Sequence, residues 1–159
     1  MGGVTIRLQR QKDLPLPAEQ VWNWMCDPES LALFHINPFH LRAQKEHGRL
    51  QPGSQVQILH TLGFHREMRI ATITKLHSYE IAWTEIKEGG KDWFPHHQKF
   101  CLRALNDRRC RLENHLGGTF HLPGARWWLW SWYRYLLPLI LDWELRQIGK
   151  HFARNGEVP

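Results

Sequence analysis

The sequence predicts an α+β fold in which one antiparallel sheet of about seven strands packs against a long C-terminal helix. Two observations support this fold class. From Phe39 onward, apolar and polar side chains alternate with a period of two, and short turns interrupt the alternation without a helical crossover. The last segment, residues 122–152, instead shows apolar side chains at three- and four-residue steps. Strands joined by short turns form hairpins, so the sheet is expected to be antiparallel.

The first part of the chain predicts one strand and two short helices. Residues 4–10 alternate apolar and polar side chains, as a half-buried strand does. Pro17 opens a first short helix with the sequence PAEQVWNWMC, because a proline near the first turn loses no helical hydrogen bond. Asp27 followed by Pro28 is typical of a helix start and predicts a second short helix over residues 28–34.

Six more strands are expected after these helices. Gly89-Gly90 and Asn106-Asp107 suit tight turns between two pairs of them, because these residues tolerate positive φ. The chain of 159 residues is then one domain, residues 1–159. The predicted strands are residues 39–47, 54–62, 64–76, 79–87, 94–105 and 109–121.

The predicted terminal helix is apolar on two faces. The stripe expected to face the core consists of Leu129, Trp132, Leu136, Leu139, Ile140 and Trp143. A second stripe, expected to face a ligand cavity, a partner or a membrane surface, consists of Trp127, Trp130, Leu137, Leu141 and Leu145.

The start of this helix combines tryptophan with arginine, which suits peripheral contact with a membrane interface. Packing of the same tryptophans under neighbouring loops is the preferred alternative, because proteins rarely leave so large an apolar patch exposed. The sequence leaves the oligomeric state open. The cluster consists of Arg126, Trp127, Trp128, Trp130, Trp132 and Arg134.

Composition argues against several classes of protein. A hydrophobic fraction of 42% and nine tryptophans argue against a disordered chain. The formal charge of +6 is spread without a dense basic run or a nucleic-acid motif, so no nucleic-acid partner is expected. The first residues lack the apolar core of a secretory signal, and the three cysteines lack metal-type spacing. We therefore expect a cytoplasmic protein.

Four local motifs occur in an order that resembles the SRPBCC superfamily, which includes START domains, Bet v 1-type allergens and polyketide cyclases. Residues 15–34, PLPAEQVWNWMCDPESLALF, resemble the two helices that follow the family's first strand. GRLQPGS (residues 48–54) is similar to a frequent turn of the family, and YEIAW (79–83) to a strand that ends in tryptophan. RLEN (111–114) with Gly117-Gly118 falls where the family often has a polar inward residue followed by glycine.

This resemblance implies a helix-grip fold, in which a curved antiparallel sheet wraps around the C-terminal helix with a hydrophobic cavity between them. It does not imply a reaction, because the fold hosts lipid carriers, hormone receptors, aromatases and cyclases. The Trp-rich terminal helix departs from the usual Leu- and Ala-rich helix of the family. This departure favours a large or aromatic ligand, or membrane contact.

Three polar residues are candidates for acid/base catalysis. Ile81 and Trp83 mark one face of a strand as inward, so Glu85 on the same face is expected in or beside an apolar cavity, with a raised pKa. The alternative is that Glu85 lies at the strand end and reaches solvent. His60 and His96 extend other inward rows and are the two further candidates.

Other side chains are candidates for binding a ligand, because a few polar groups on an apolar face are typical of a pocket. Arg69 lies mid-strand, within reach of Glu67 or Glu85. The alternative for each polar residue is a hydrogen-bonded place in the core. The ligand-binding candidates are Trp83, Arg69, Gln98, Asn114, Trp128, Trp132 and Leu136.

No metal and no cofactor is predicted from the motifs. The chain has eleven histidines but no His-Glu-x-x-His or Cys-x-x-Cys motif. The pairs His35/His40 and His60/His65 are five positions apart, so within a strand their side chains point to opposite faces. A metal site assembled across strands is the open alternative.

Two functions from different classes follow. The leading hypothesis is a protein that binds a hydrophobic small molecule, of lipid, aromatic or polyketide type, in an internal cavity. The alternative is a polyketide cyclase, dehydratase or aromatase-like enzyme that uses acid/base groups of the same cavity.

Overall fold

The computed structural model describes residues 4–27, 31–45, 48–62, 65–121 and 132–154. Strand β1 (Val4–Leu14) precedes helices α1 (Ala18–Met25) and α2 (Ala32–His35). A π-helical turn (Trp132–Leu136) leads into the long helix α3 (Leu137–Arg154). Between α2 and the π-helical turn lie β2 (His40–Lys45), β3 (Gln55–Leu62), β4 (His65–His77), β5 (Glu80–Lys87), β6 (His96–Asn106) and β7 (Arg109–Phe120).

The seven strands form one curved antiparallel sheet in the order β1-β7-β6-β5-β4-β3-β2. Strands β2 to β7 follow one another as hairpins, and β1 completes the sheet by pairing with β7. Helix α3 packs against β1 and β7. The predicted fold class is confirmed, including the two short helices after the first strand.

The second short helix begins later than its sequence predicts. Residues 28–30 lie outside the described part of the chain, and α2 starts only at Ala32. Leu31 directly before it has φ of 46°, in the left-handed region. A right-handed helix cannot continue through such a residue, so the predicted continuous helix over residues 28–34 is wrong.

The buried face of α3 contains Leu137, Leu141 and Leu145 of the second predicted stripe and Ile140 of the first. Leu139 is 61% exposed and Trp143 is 46% exposed, so the expectation that these two residues face the core is wrong. Each lies two positions from a buried leucine, and two positions of an α-helix correspond to a rotation of about 200°, to the opposite side of the helix. The buried residues of α3 are Leu137, Pro138, Ile140, Leu141, Glu144, Leu145, Ile148 and Phe152.

Buried apolar side chains form two clusters between the sheet and the helices. The larger cluster joins α1, α2 and one end of the sheet to Leu145, Ile148 and Phe152 of α3. The smaller cluster consists of Ile6, Leu116, Phe120, Leu137, Ile140 and Leu141. Within the described ranges, no helix has both the length and the apolar character needed to cross a bilayer.

Candidate functional site

A layer of buried and half-buried polar side chains crosses the interior at the level between the two apolar clusters. On β7 the inward row runs from Leu112 through Asn114 to Leu116, so an amide separates side chains of the two clusters. On α3, Glu144 likewise lies between Leu141 of the smaller cluster and Leu145 of the larger. We call the following residues the polar layer: His60, Arg69, Glu85, Gln98, Asn114 and Glu144.

The strand register brings this layer together. Glu85 lies opposite His96 on β6 and opposite Ala71 on β4. Arg69 is two residues before Ala71, so its side chain emerges on the same inward face, diagonal to Glu85. The period-two rows of neighbouring strands therefore place their polar members at one level.

Arg69 is the most heavily bonded member of the layer. Its Nε donates to Glu85 Oε1 at 2.8 Å, and its Nη1 donates to Glu67 Oε1 at 2.8 Å. Its Nη2 donates to the Phe94 carbonyl at 2.7 Å and lies 3.3 Å from Asp92 Oδ2. One buried guanidinium is thus shared by three carboxylates, including both partners that the sequence offers.

Glu85 is buried, as its place beside Ile81 and Trp83 predicts, but the expected raised pKa is wrong. Burial alone would raise the pKa of this carboxyl. The neighbouring imidazoles of His96 and His60 outweigh burial and hold the pKa well below its usual range. Glu85 is therefore an ionised carboxylate, which disfavours it as a general acid.

Two of the three histidines around Glu85 are the predicted ones. His60 Nε2 lies 2.8 Å from Glu85 Oε1, but the ring does not aim an N–H at that oxygen. This buried nitrogen has no hydrogen-bond partner among the residues described. His96 Nε2 lies 3.6 Å from Glu85 Oε2, and its Nδ1 donates to the Phe94 carbonyl at 3.1 Å.

His40 is the third histidine, and sequence reasoning did not select it. It lies opposite His60 in the register of β2 and β3, with the two ring centroids 4.3 Å apart. Its Nδ1 donates to the Phe34 carbonyl at 2.6 Å. Burial lowers the pKa of His40 to about 4, with a contribution from neighbouring His60.

Glu144 is the second residue that sequence reasoning missed. Its Oε2 accepts hydrogen bonds from Asn114 Nδ2 at 2.6 Å and Gln98 Nε2 at 2.8 Å, and its Oε1 accepts one from Asn37 Nδ2 at 2.7 Å. Gln98 also donates to Asn114 Oδ1 at 3.1 Å. Three side-chain amides, two from the sheet and one from the segment after α2, therefore hold this carboxyl in the core.

Burial raises the pKa of Glu144 to about 7, against the opposing effect of its three amide donors. The charge of Glu85 adds to the rise. A sequence signal for this residue exists, because Glu144 is the one charged position in the four-residue series Ile140, Glu144, Ile148. A charge on a buried helical stripe is a candidate for a functional group.

Trp83 anchors the aromatic side of the site. Its ring lies 4.9 Å from that of Phe34 and 5.9 Å from that of Phe100, between ring centroids. The ring is buried, but Nε1 has no hydrogen-bond partner among the residues described. Trp83 is thus inward, as predicted, and carries an unsatisfied donor.

Of the ligand candidates on the terminal helix, only Leu136 has a described side chain. It is half-buried against the smaller apolar cluster. Trp128 lies outside the described residues, and Trp132 begins the π-helical turn without a described side chain. Gln98 and Asn114, two of the candidates on the sheet, are buried and belong to the polar layer.

Comparison with known proteins identifies the fold. No protein-family model and no curated protein matches the sequence. A norcoclaurine synthase point mutant from Thalictrum flavum, in complex with a transition-state analogue, has a TM-score of 0.68 at 13% identity, over 98% of this chain and 99% of that one. Zhui aromatase/cyclase from Streptomyces sp. R1128 has a TM-score of 0.61 at 13% identity, over 77% and 73% of the two chains.

A third structure, that of Ara h 8.0201, has a TM-score of 0.61 at 11% identity, over 91% of this chain and 98% of that one. These similarities confirm the predicted helix-grip fold, which the chain shares with these solved structures. At this level of identity, the similarity concerns the fold alone.

Proposed function

We propose that this chain binds a hydrophobic small molecule, of lipid, aromatic or polyketide type, in a cavity between α3 and the inner face of the sheet. The observation that carries the proposal is that Nε1 of Trp83, on that face, has no hydrogen-bond partner among the residues that the structure describes. A buried polar group without a partner costs about 1–3 kcal/mol, so such groups in native proteins usually have an occupant to bond. A carbonyl or hydroxyl oxygen of the ligand would accept this hydrogen bond.

The surroundings of Trp83 favour an apolar or aromatic ligand body. Phe34 and Phe100 flank the indole, and the half-buried Phe39, Phe94 and Leu136 lie against the smaller apolar cluster. Aromatic rings stack on such surfaces, while a few polar groups fix the orientation of the ligand. His60 Nε2, a buried atom that likewise has no hydrogen-bond partner in the described ranges, would provide a second polar contact.

Titration with an environment-sensitive apolar dye tests this proposal. We expect saturable binding, and native mass spectrometry of protein purified from its own host should detect a retained organic ligand. Trp83→Phe should weaken dye binding, whereas the same change at the exposed Trp93 is the matched control and should not. Absence of saturable binding, together with absence of a retained ligand, would overturn the proposal.

An enzyme of the cyclase, dehydratase or aromatase type is the alternative, and Glu144 favours it. Enolisation and dehydration require a shaped cavity and one or two groups that transfer protons near neutral pH. A carboxyl with a pKa of about 7, held by three amides beside an apolar cluster, has that property. Glu144 therefore replaces Glu85 as the candidate general acid, with His60 and His96 as candidate bases.

Turnover of aromatic polyketone test compounds would separate the enzyme from the carrier. Glu144→Gln preserves size and removes the titrating proton, so an enzyme should lose turnover while dye binding persists. Glu19→Gln, at an ordinary acidic position in the first turn of α1, is the control and should leave turnover unchanged. A compound that is converted equally well by wild type and Glu144→Gln would contradict the assignment of Glu144.

Cytoplasmic location and peripheral membrane contact stay predictions. Trp128 and Trp130, on which the second of them mainly rests, lie outside the described residues. The outer face of the terminal helix supports membrane contact independently, because it exposes large apolar side chains at four-residue steps. These are Tyr135, Leu139 and Trp143.

A further inference from the structure

Three side chains that are able to bind a metal converge at the β2–β3 side of the polar layer. The ligand atoms of His40, His60 and Glu85 all lie within 4.8 Å of one another. The residues come from three strands, β2, β3 and β5, and the β2–β3 register sets His40 against His60. Glu85 lies opposite Ala71 on the intervening strand β4, and so small a side chain leaves the carboxylate room to reach β3.

The two imidazoles are oriented as in metal sites. His40 Nδ1 donates to the Phe34 carbonyl at 2.6 Å, which places the proton on Nδ1 and leaves a lone pair on Nε2. A backbone carbonyl that holds the second nitrogen of a histidine in this way is common around protein metal ions. His60 Nε2 is buried, 2.8 Å from the carboxylate, and has no hydrogen-bond partner in the described part of the chain.

The local charge also favours a cation. Arg69 contacts Glu85, but Glu67 at 2.8 Å and Asp92 at 3.3 Å contact the same guanidinium. The positive charge of Arg69 is therefore shared among three carboxylates and compensates the charge of Glu85 only in part. Arg69 also orients Glu85 through a hydrogen bond to Oε1, whereas Oε2 lies 3.6 Å from His96 Nε2.

We propose that His40, His60 and Glu85 bind a divalent first-row transition-metal ion, for which Zn²⁺ is the test ion. Two imidazoles and one carboxylate suit such ions, and three protein ligands leave a coordination position open. In such a site each of the three ligand atoms would lie about 2.0–2.2 Å from the ion. This inference goes beyond the ligand-binding proposal, which requires no metal.

The test is a titration of the metal-stripped chain with Zn²⁺ in competition with a chromophoric chelator. We expect one equivalent to bind, and His40→Gln and His60→Gln each to weaken the binding at least about tenfold. The exposed His35 on α2 provides the matched control, and His35→Gln should bind Zn²⁺ as wild type does. Titration with Co²⁺ should give visible absorption that is lost in both site variants.

His60→Gln keeps the test decisive if His40→Gln fails to fold, because His60 Nε2 has no hydrogen-bond partner to lose within the part of the chain that is described. Circular dichroism verifies the fold of each variant. Absence of stoichiometric Zn²⁺ binding, or equal binding by wild type and His60→Gln, would overturn the proposal. Dye titration of the same metal-free samples measures ligand binding separately. Failure of the metal proposal is therefore distinguishable from failure of the ligand-binding proposal.

Discussion

Arg69 donates a 2.8 Å hydrogen bond from Nε to Glu85 Oε1 in the interior, where the two side chains are only 5% and 1% exposed. Both charges have lost their water, and each depends on the other for compensation. Removing one partner of such a pair is more damaging than replacing both, because the remaining charge stays buried. Substitutions of this pair in the candidate site should therefore also change the stability of the sheet.

Arg69→Met should lower the free energy of unfolding by about 3–5 kcal/mol, because it leaves the Glu85 carboxylate buried without its guanidinium. The double variant Arg69→Met/Glu85→Gln should recover part of this loss. Urea unfolding measures both. The control is Lys75→Met, which removes the 3.0 Å ion pair with Glu80 between side chains that are 39% and 23% exposed and should change stability by less than about 1 kcal/mol. Equal losses at Arg69 and Lys75 would contradict the argument.

Glu144 should make stability depend on pH. Its pKa is about 7 in the folded chain, against 4.5 for an ordinary Glu, so the unfolded chain releases this proton first as pH rises. Below pH 4.5 the proton on Glu144 raises the free energy of unfolding by about 3 kcal/mol. This contribution is lost as the pH rises to about 7.

Glu144→Gln has no such proton. Its free energy of unfolding, relative to wild type, should therefore rise across that interval, as measured by urea unfolding at several pH values. Glu19→Gln serves as the control. A difference between Glu144→Gln and wild type that stays constant with pH would show that Glu144 titrates normally.

Gly118→Ala should destabilise the fold by about 1–3 kcal/mol, as overpacking of a core does. A Cβ at Gly118 would lie 2.5 Å from the Phe94 ring and 2.8 Å from the Pro95 carbonyl oxygen, and backbone cannot move aside easily. Gly117→Ala is the matched comparison, because the three atoms nearest to its Cβ belong to the side-chain ring of the exposed His97 and not to the backbone. The melting temperature of Gly118→Ala should be lower than that of Gly117→Ala. The reverse order would contradict these contacts.

The chain should bind anionic vesicles through the outer face of α3 and should therefore float with them in a density gradient. Leu139→Glu/Trp143→Glu should abolish flotation, because it places two negative charges on the exposed apolar stripe. Ile86→Glu, at a residue of β5 that is 50% exposed, controls for added charge elsewhere and should float as wild type does. Wild-type protein that does not float would contradict membrane contact.

The sheet and its inward rows were predictable because burial on one face imposes an alternation that each strand carries by itself. Ile81, Trp83 and Glu85 illustrate this, since their common face follows from spacing alone. The pKa of Glu85 was not predictable, because it depends on His60 and His96, which the register brings from other strands.

The terminal helix was harder to predict because its sequence is apolar on two faces. Hydrophobic spacing therefore did not select the buried face. Glu144 lies four positions after Ile140, a member of the stripe assigned to the core, and a search for apolar positions alone passes over a charged residue there. The convergence of His40 with His60 is likewise a property of the β2–β3 register, because the two lie in different strands.

The pairing of β1 with β7 has a kinetic consequence. Thr5 and Thr119 face each other across this ladder although 114 positions separate them in sequence. The hairpins from β2 to β7 need only short loop closures, whereas docking of β1 requires most of the chain to be ordered first. We expect β1 to join the sheet late in folding. Pulsed hydrogen exchange during refolding should show amides of β4 and β5 protected before those of β1; simultaneous protection would contradict this order.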